Sequence, residues 1–382
     1  MEQDSYRAFM RHLEHVGIGY PQGDEFLEVL RKTLTPEEAG IGLGLPTRLP
    51  PLEVEEVDVI AQRVKEPLEK VEQVLENLAQ KGFLYKQKTA TGKTGYAFIQ
   101  IGFGIPQVFY WKGEVTDKDR EIARPLQTYL TKVGDKTSGS ESTRFYRYIP
   151  VNKAVEVSPQ AVYTYDMITE VIDKAEKIAV VHCPCRQTAR LLTDSKCTHS
   201  LDVCLKFNKM AEFVLERGYG KELSKEEALE TIRRAEEEGL IHFVDNCQDE
   251  IQHNCNCCSC CCWNVMPIKR GLVPRDYIMA TYYLRTTDQD ECTGCSQCAE
   301  DCPLEIITME NDLPVIDEDI CIGCGVCLRH CPSGAAGLKR KDNSVPFKDF
   351  NTLHRAAIQD VASQGARAKK DHARIVNRTE HS

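Results

Sequence analysis

The chain has 382 residues, of which 42% are hydrophobic, and its formal net charge is -10. This length predicts two or three domains, and the acidic balance argues against a surface whose main task is to bind nucleic acid. The start of the sequence is polar and acidic, unlike a signal peptide, and its apolar stretches are too short to span a bilayer. We therefore expect a cytoplasmic protein without a membrane span.

The N-terminal part of the chain is predicted to be mainly helical. The segment Thr-Pro-Glu-Glu at 35–38 has the pattern of a capping box at the start of a helix. Apolar residues then recur at helical spacing over 57–64 and 68–78. Two aromatic segments within 83–98 flank a glycine-containing turn and predict a hairpin. This order of elements resembles a winged helix-turn-helix over roughly residues 24–100.

The charges on and beside the second helix of this pair argue against DNA binding. An acidic helix repels the phosphates that supply most of the affinity in protein–DNA complexes. We therefore expect no nucleic-acid partner, and we interpret this part of the chain as a folded adaptor that docks on protein or on the rest of the chain. The residues concerned are Glu66, Glu69, Glu72 and Glu76 against Lys70 and Lys81.

The middle of the chain, residues 111–275, is predicted to mix helices and strands around a set of cysteines. Short apolar runs at 178–181 and 241–244 predict buried strands, and helices are predicted near Lys206–Arg217 and Lys225–Glu238. The first strand leads directly into a Cys-Pro-Cys-Arg segment. The region contains eleven cysteines: Cys183, Cys185, Cys197, Cys204, Cys247, Cys255, Cys257, Cys258, Cys260, Cys261 and Cys262.

Thiols at such short spacings, in a reducing compartment, are metal ligands before they are disulfides. Soft thiolates suit both iron–sulfur clusters and zinc. We expect at least one iron–sulfur cluster in this region. The main alternative is a zinc site, to which His199 could supply a nitrogen. The third possibility is that the thiols are free and purely structural. Adjacent cysteines, as at 257–258 and 260–262, should point in different directions, so they can hardly all bind one ion. Some of these cysteines would then bind no metal or would line a reactive site.

The clearest pattern follows at residues 292–332. The spacing C-x2-C-x2-C-x3-C-P occurs there twice, with eighteen residues between the two sets. This double motif closely resembles the bacterial-type two-cluster ferredoxins over roughly residues 276–339. Both sets are complete, with their prolines: Cys292, Cys295, Cys298, Cys302 and Pro303, then Cys321, Cys324, Cys327, Cys331 and Pro332.

The resemblance implies two [4Fe–4S] clusters whose ligands cross between the repeats. The first cluster would be held by Cys292, Cys295, Cys298 and Cys331. The second cluster would be held by Cys321, Cys324, Cys327 and Cys302. Glycines within the motifs let backbone N–H groups approach the cluster sulfurs, which tunes the reduction potential. These are Gly294, Gly323 and Gly325.

The chain as a whole resembles a group of poorly characterised iron–sulfur proteins of anaerobes. They pair a winged-helix-like N-terminus with a Cys-x-Cys-Arg element, here at 183–186, a cysteine run, here at 255–262, and a dicluster ferredoxin end. The predicted fold is an α+β multidomain chain. Its parts are a winged-helix-like domain over 1–110, a cysteine-rich α/β domain over 111–275, a ferredoxin-like βαβ dicluster domain over 276–339 and a basic helical tail over 340–382.

These patterns predict an electron-transfer subunit or carrier that serves a protein redox partner or a larger oxidoreductase complex. Two alternatives stay open. The middle cysteine site could perform chemistry as an oxidoreductase, with the ferredoxin clusters as its electron supply, or the winged helix could make the chain a redox- or metal-sensing regulator. The sequence contains neither a nucleotide-binding loop nor a dinucleotide fingerprint, which argues against a self-contained flavin or nicotinamide enzyme.

Overall fold

The computed structural model describes residues 4–17, 19–100, 104–105, 107–136, 143–159, 161–192, 195–277 and 279–360. The chain contains two compact units. The first contains the described residues within 1–105, 132–143 and 351–382, and the second contains those within 106–131 and 144–350. All nineteen cysteines lie in the second unit. The division into four domains stays a prediction.

The first unit is mainly helical, as the hydrophobic spacing predicts. Its helices are α1 (Ser5–Leu13), α2 (Asp24–Thr33), α3 (Pro36–Gly42), α4 (Val57–Val64) and α5 (Leu68–Gln80). Its strands are β1 (Glu55–Glu56), β2 (Leu84–Lys88) and β3 (Thr94–Phe98). The strands form an antiparallel sheet in the order β1-β3-β2, so the predicted hairpin is present as β2 and β3. The winged-helix interpretation of this unit stays a prediction.

Helix α3 begins where the sequence pattern places it. The hydroxyl of Thr35 accepts a hydrogen bond from the N–H of Glu38 at 3.2 Å, and the Glu38 carboxylate accepts one from the N–H of Thr35 at 2.7 Å. These bonds satisfy two backbone donors that a helix start would otherwise leave unpaired. Lys81, 2.7 Å away, then pairs with the buried Glu38 carboxylate and fixes the end of α5 against the start of α3.

The second unit contains most of the strands. Its helices are α6 (Asp117–Lys136, whose last residues belong to the first unit), α7 (Asn152–Val157), α8 (Ile168–Lys174), α9 (Pro184–Leu192), α10 (Asn208–Glu216), α11 (Lys225–Glu237), α12 (Val265–Lys269) and α13 (Gln297–Glu300). Its strands are β4 (Tyr146–Ile149), β5 (Ile178–Val181), β6 (Cys204–Phe207), β7 (Lys221–Glu222), β8 (Ile241–Asp245), β9 (Cys247–Asp249), β10 (His253–Cys257), β11 (Met279–Ala280), β12 (Tyr283–Thr287), β13 (Ile307–Glu310), β14 (Leu313–Ile316), β15 (Ala336–Arg340) and β16 (Phe347–Asp349).

Seven of these strands form a central sheet in the order β11-β4-β8-β10-β6-β5-β7. Both buried strands expected in the middle region are present, as β5 and β8. The helix predicted near Lys206–Arg217 is present as α10, but the strand before it was not predicted: Cys204–Phe207, which include Lys206, form strand β6 in the middle of the sheet. Leu205 and Phe207 alternate with two polar residues in this strand, which is the period of two typical of a β-strand.

The pairing of the central strands places several functional side chains on one face of the sheet. Tyr148 lies opposite Phe243, and Phe243 lies opposite Cys255. Cys255 in turn lies beside Cys204, since β10 and β6 pair in the antiparallel register that joins His253 to Lys206. Because every second residue of a strand points to the same face, this row of side chains forms one continuous surface.

The ferredoxin-like segment contributes two antiparallel pairs of its own, β12 with β15 and β13 with β14. Its two repeats share the same backbone conformation. Left-handed φ angles occur at equivalent positions of both repeats: Gly294 and Gly323, Ser296 and Gly325, and Glu305 and Gly334. At Gly323 a side chain is excluded outright, since a Cβ atom there would lie 2.1 Å from the carbonyl oxygen of Tyr283.

Only the start of the predicted basic tail is described. Residues 347–349 form β16 and residues 350–360 are helical. Residues from 361 onward, including the predicted basic positions Arg367, Lys369, Lys370, Arg374 and Arg378, lie outside the described residues. Among the helices that the structure describes, none is long and apolar enough to cross a membrane.

A buried ion pair joins the central sheet to the ferredoxin-like segment. The guanidinium of Arg147, on β4, donates to the Asp166 carboxylate at 2.8 Å, and neither side chain is exposed to solvent. Arg147 also donates to the carbonyl of Cys247 at 2.6 Å, and the hydroxyl of Tyr283, on β12, donates to Asp166 at 2.6 Å. These bonds link β4, β9 and β12 through one pair of charges.

Removing the negative partner of this pair should destabilise the second unit. We expect Asp166→Asn to lower the free energy of unfolding by about 3–5 kcal/mol, because it leaves the buried Arg147 charge without a counterion. Asp249→Asn is the matched control: Asp249 pairs with Lys174 on the surface, so its loss should change stability by about 0.5 kcal/mol or less. Urea denaturation under anaerobic conditions measures both. Equal effects would show that the pair is not a structural link.

Candidate metal centres

All nineteen cysteines are free thiols in the structure. Eight belong to the ferredoxin-like repeats, and the eleven predicted candidates of the middle region divide into two groups and one single residue. We call the first group the thiol basin: Cys183, Cys185, Cys204, Cys255, Cys257 and Cys262. We call the second group the thiol tetrad: Cys197, Cys258, Cys260 and Cys261. The single residue is Cys247.

The floor of the thiol basin is one face of the central sheet. Cys255 and Cys257 are two residues apart on β10, so strand alternation points both side chains to the same side. Cys204, on the neighbouring strand β6, lies with its sulfur 3.7 Å from that of Cys255. Hydrogen bonds from Cys204 and Cys257 lower the pKa of the buried Cys255 thiol. Antiparallel pairing of two strands therefore brings together thiols that are about fifty residues apart in sequence.

Two loops complete the basin. Strand β5 ends at Val181 and delivers Cys183 and Cys185 to the first turn of α9, and Cys262 follows from the turn before α12. The Cys185 thiol interacts with both Cys183 and Cys262, and its hydrogen bond lowers the pKa of each of those two thiols. The thiol of Cys257 also interacts with Cys262. The six thiols are thus linked in one continuous chain of contacts.

Basic side chains surround the basin. Lys206 points to the same sheet face as Cys204, is fully buried, and lies with Nζ 4.7 Å from the centre of the Trp111 ring. Its amine has no hydrogen-bond partner among the described residues. The nearby His253 ring and Lys206 amine also lower the pKa of Cys255. A buried basic group of this kind offsets the negative charge that thiolates bring to a metal centre.

The thiol tetrad is more compact. Its four sulfur atoms all lie within 4.8 Å of one another. The sulfurs of Cys197 and Cys258 are 3.9 Å apart, and those of Cys260 and Cys261 are 3.6 Å apart. A hydrogen bond from Cys261 and the charge of Arg186 lower the pKa of the Cys258 thiol to about 3. Cys258 is therefore a thiolate at neutral pH and can bind a metal without first losing a proton.

Arg186 lies between the two groups. It follows the Cys-Pro-Cys segment on α9, is fully buried, and donates a hydrogen bond from Nε to the Cys258 sulfur at 3.4 Å. Its other nitrogens donate to the carbonyl oxygens of Ser200 and Asn256, which hold the guanidinium in place. Its charge acts on thiols of both groups, namely Cys183, Cys258 and Cys257.

Two predicted candidates lie outside these groups. Cys247 is buried on β9, where burial raises the pKa of its thiol, and its charged neighbours include Asp245 rather than other thiols. The ring of His199, proposed as a zinc ligand, is 3.5 Å from the Glu238 carboxylate and is not among the tetrad ligands. We interpret Cys247 as a structural thiol.

Adjacent cysteines belong to different thiol groups, as expected, at two places in the run, but not at a third. Cys257 and Cys258 belong to different groups, as do Cys261 and Cys262. The expectation is wrong for Cys260 and Cys261, whose sulfurs lie in the same group. The chain turns between β10 and α12 at these residues, so side chains of neighbouring residues can converge there, as they cannot within a strand.

Four thiols of the ferredoxin-like segment line one cavity of about 350 Å³, including the space at its mouth. All four are buried, and apolar side chains such as Leu304, Ile307 and Ile322 form most of the remaining wall. This dry, thiol-lined pocket has the donor set that a [4Fe–4S] cluster requires. The thiols are Cys302 from the first repeat and Cys321, Cys324 and Cys327 from the second.

The other four ferredoxin-like cysteines are closer to solvent. Cys295 is exposed, and the remaining three are half-buried: Cys292, Cys298 and Cys331. Cys331 accepts hydrogen bonds from the backbone N–H groups of Ser333, Gly334 and Ala336. Donors of this kind stabilise a thiolate and suit a cluster ligand.

Sequence reasoning missed two side chains at the edge of these groups. Lys206 was missed because the sequence pattern assigned it to a helix. Recognised as part of a buried strand, this lysine would have been singled out as an inward-facing charge. Tyr148 is fully buried on β4, and its hydroxyl has no hydrogen-bond partner among the described residues. Burial, and then the charges of Cys262, Cys257 and Cys324, raise its pKa well above the ordinary value.

Comparison with known proteins agrees with the ferredoxin-like segment. Residues 291–336 match the family of 4Fe-4S dicluster domains. No curated protein matches the chain. The family match and the two groups of clustered thiols support a general role in iron–sulfur electron transfer.

The position of Arg186 predicts that metal binding depends on its charge. We expect Arg186→Met to weaken metal retention about 10- to 100-fold, as is typical when a residue that supports metal ligands is lost. Arg233→Met is the control, because Arg233 is exposed on α11 and, among the residues that the structure describes, pairs with Glu230 and Glu237 of its own helix. Iron and zinc retained against rising chelator concentration are the measurement. Retention equal to that of the unmodified chain would contradict this role.

Proposed function

We propose that this chain relays electrons from a protein redox partner through two ferredoxin-type [4Fe–4S] clusters to at least one further cluster held by the thiol basin. The observation that carries this proposal is the continuity of the buried core. One hydrophobic cluster includes thiols of the cavity-lining set, such as Cys324, together with Tyr148 and the basin thiols Cys257 and Cys262. Electrons tunnel efficiently only between closely spaced centres, and this core offers such a path.

Further contacts support a short connection between the cavity and the sheet. The carbonyl of Cys324 accepts a hydrogen bond from the N–H of Val151, just after β4, at 3.0 Å. A Cβ atom at Gly325 would lie only 2.4 Å from the Cβ of Ala154, so the cluster loop packs directly on α7. Tyr148, three residues before Val151, interacts with thiols on both sides. We propose that electrons pass between the cavity cluster and the basin in this region.

The basin has more thiols than one metal ion can bind. A tetrahedral ion takes four thiolates, whereas the basin offers six. A polynuclear iron–sulfur centre uses several thiolates spread over several iron atoms. The buried Lys206 and Arg186 beside the basin compensate charge, which raises the reduction potential of a cluster relative to an uncompensated site. A basin cluster of higher potential would receive electrons from the ferredoxin-type clusters.

The partner side of the relay is the more exposed ferredoxin-type cluster. Cys295 lies at the surface, so a cluster bound there would come closest to a docked protein. The segment 286–328, which contains seven of the eight ligands, has eleven acidic residues and no lysine or arginine. We propose that the partner presents a basic surface, since complementary charges speed encounter and orient the two proteins.

A second candidate function is an oxidoreductase whose reaction takes place at the basin. The observation that favours it is the surplus of ligands: a cubic cluster uses four thiolates, and two of the six basin thiols would then stay free beside Lys206. The amine of Lys206 has no hydrogen-bond partner among the described residues, and it could bind an anionic substrate there. A substrate-dependent change in the spectrum of the basin cluster would distinguish this function from simple relay.

The proposed relay predicts the metal content of the chain. Protein purified without oxygen should contain about 12 iron atoms and as many labile sulfides, because each [4Fe–4S] cluster contributes four of each. The double variant Cys255→Ser with Cys257→Ser should lose about four of each and take up one electron less per molecule in a reductive titration. Cys247→Ser should lose none, because Cys247 lies outside both thiol groups. About eight iron atoms in both the unmodified chain and the double variant would contradict the basin cluster.

We also propose the crossed ligand sets, supported by the cavity that Cys302 lines together with the second repeat. Cys302→Ser should then damage the cluster of Cys321, Cys324 and Cys327, while Cys331→Ser damages the more exposed one. The decisive variant combines Cys302→Ser with Cys321→Ser. Under crossed ligation both changes fall on one cluster and the other keeps its paramagnetic resonance spectrum; if both clusters are damaged, each repeat holds its own.

A further inference from the structure

The thiol tetrad differs from the basin because its four sulfurs all converge on one point, whereas the basin sulfurs are linked pair by pair, as at Cys204 and Cys255, which are 3.7 Å apart. Around one tetrahedral zinc ion with Zn–S bonds of about 2.3 Å, neighbouring sulfurs stand about 3.8 Å apart. The two sulfur pairs measured in the tetrad, at 3.9 and 3.6 Å, match this spacing, and all four sulfurs lie within 4.8 Å of one another. In a cubic cluster each thiolate binds a different iron atom, so its four sulfurs must stand farther apart.

The tetrad also has the composition and position of a closed site. It supplies four protein ligands, which fill the coordination shell of a tetrahedral ion and leave no position for a substrate. Three ligands come from the turn after β10 and one from the loop that leads to β6, so an ion there would tie the two segments together. Four thiolates around a divalent ion leave a net negative charge, and the buried Arg186, 3.4 Å from the Cys258 sulfur, offsets part of it.

We propose that Cys197, Cys258, Cys260 and Cys261 bind one Zn²⁺ ion in a tetrahedral shell, separate from the iron–sulfur clusters. Zinc suits a closed four-thiolate shell because it has no redox chemistry and no electronic preference for another geometry. The ion cross-links the two segments that also carry Cys204, Cys257 and Cys262 of the basin. The role of this ion is structural. The proposal for the tetrad does not depend on whether the basin contains a cluster.

Substitution of the exposed ligand tests this site with little risk to folding. Cys260 is the exposed member of the tetrad, so its side chain is not part of the core. Cys260→Ala should lose the single zinc ion and no iron or labile sulfide. Cys260→His should keep the zinc, because zinc also binds three cysteines and one histidine. Cys247→Ser, outside the tetrad, should keep the full metal content.

Elemental analysis with a sulfide assay measures these outcomes on the full chain, purified without oxygen. X-ray absorption at the zinc edge should show a shell of four sulfurs at about 2.3 Å and no iron neighbour. Loss of iron or of sulfide from Cys260→Ala, or no loss of metal at all, would overturn the proposal. A missing basin cluster would appear instead as missing iron and sulfide in the unmodified chain, so the two proposals fail separately.

Discussion

The arrangement of the middle region depends on how ten neighbouring thiols can carry negative charge inside a protein. Thiolates repel one another, and burial penalises each charge further. Arg186 reduces both the repulsion and the burial penalty, because its guanidinium is fully buried, is held by two backbone carbonyls and acts on thiols of both groups. On the sheet face, Lys206 adds positive charge beside Cys255. The basic residues therefore determine the electrostatics of the two thiol groups together with the cysteines.

The second constraint is strand geometry. The run from Cys255 to Cys262 contains six cysteines, and the sheet decides which of them meet. Strand β10 sends Cys255 and Cys257 to the basin, and once the strand ends, Cys258 points away to the tetrad. A shift of one residue in the pairing of β10 with β6 would reverse the faces and separate Cys255 from Cys204. The register that joins His253 to Lys206 therefore determines which thiols of this run lie together.

These two constraints explain what could be predicted from the sequence. The ferredoxin-like segment could be recognised because the spacing of its cysteines is a local pattern, and the family match covers residues 291–336. The capping box formed by Thr35 and Glu38 and the hairpin of the first unit were also predicted from local patterns. The division of the middle cysteines could not be predicted, since it depends on the pairing of strands far apart in sequence. Lys206 was assigned to a helix because its strand is only four residues long and is followed directly by helix α10.

The three thiol sets of the proposed relay differ in their exposure to solvent. The set with Cys295 is partly exposed, all four thiols of the cavity set with Cys324 are buried, and four of the six basin thiols are buried. Cys295 is the exposed thiol of its set, so a docked protein would come closest there. Burial without compensation would lower the reduction potential of a cluster, because reduction adds negative charge to a medium of low polarity. Arg186 and Lys206 oppose this effect beside the basin, which supports the proposal that a basin cluster accepts the electron.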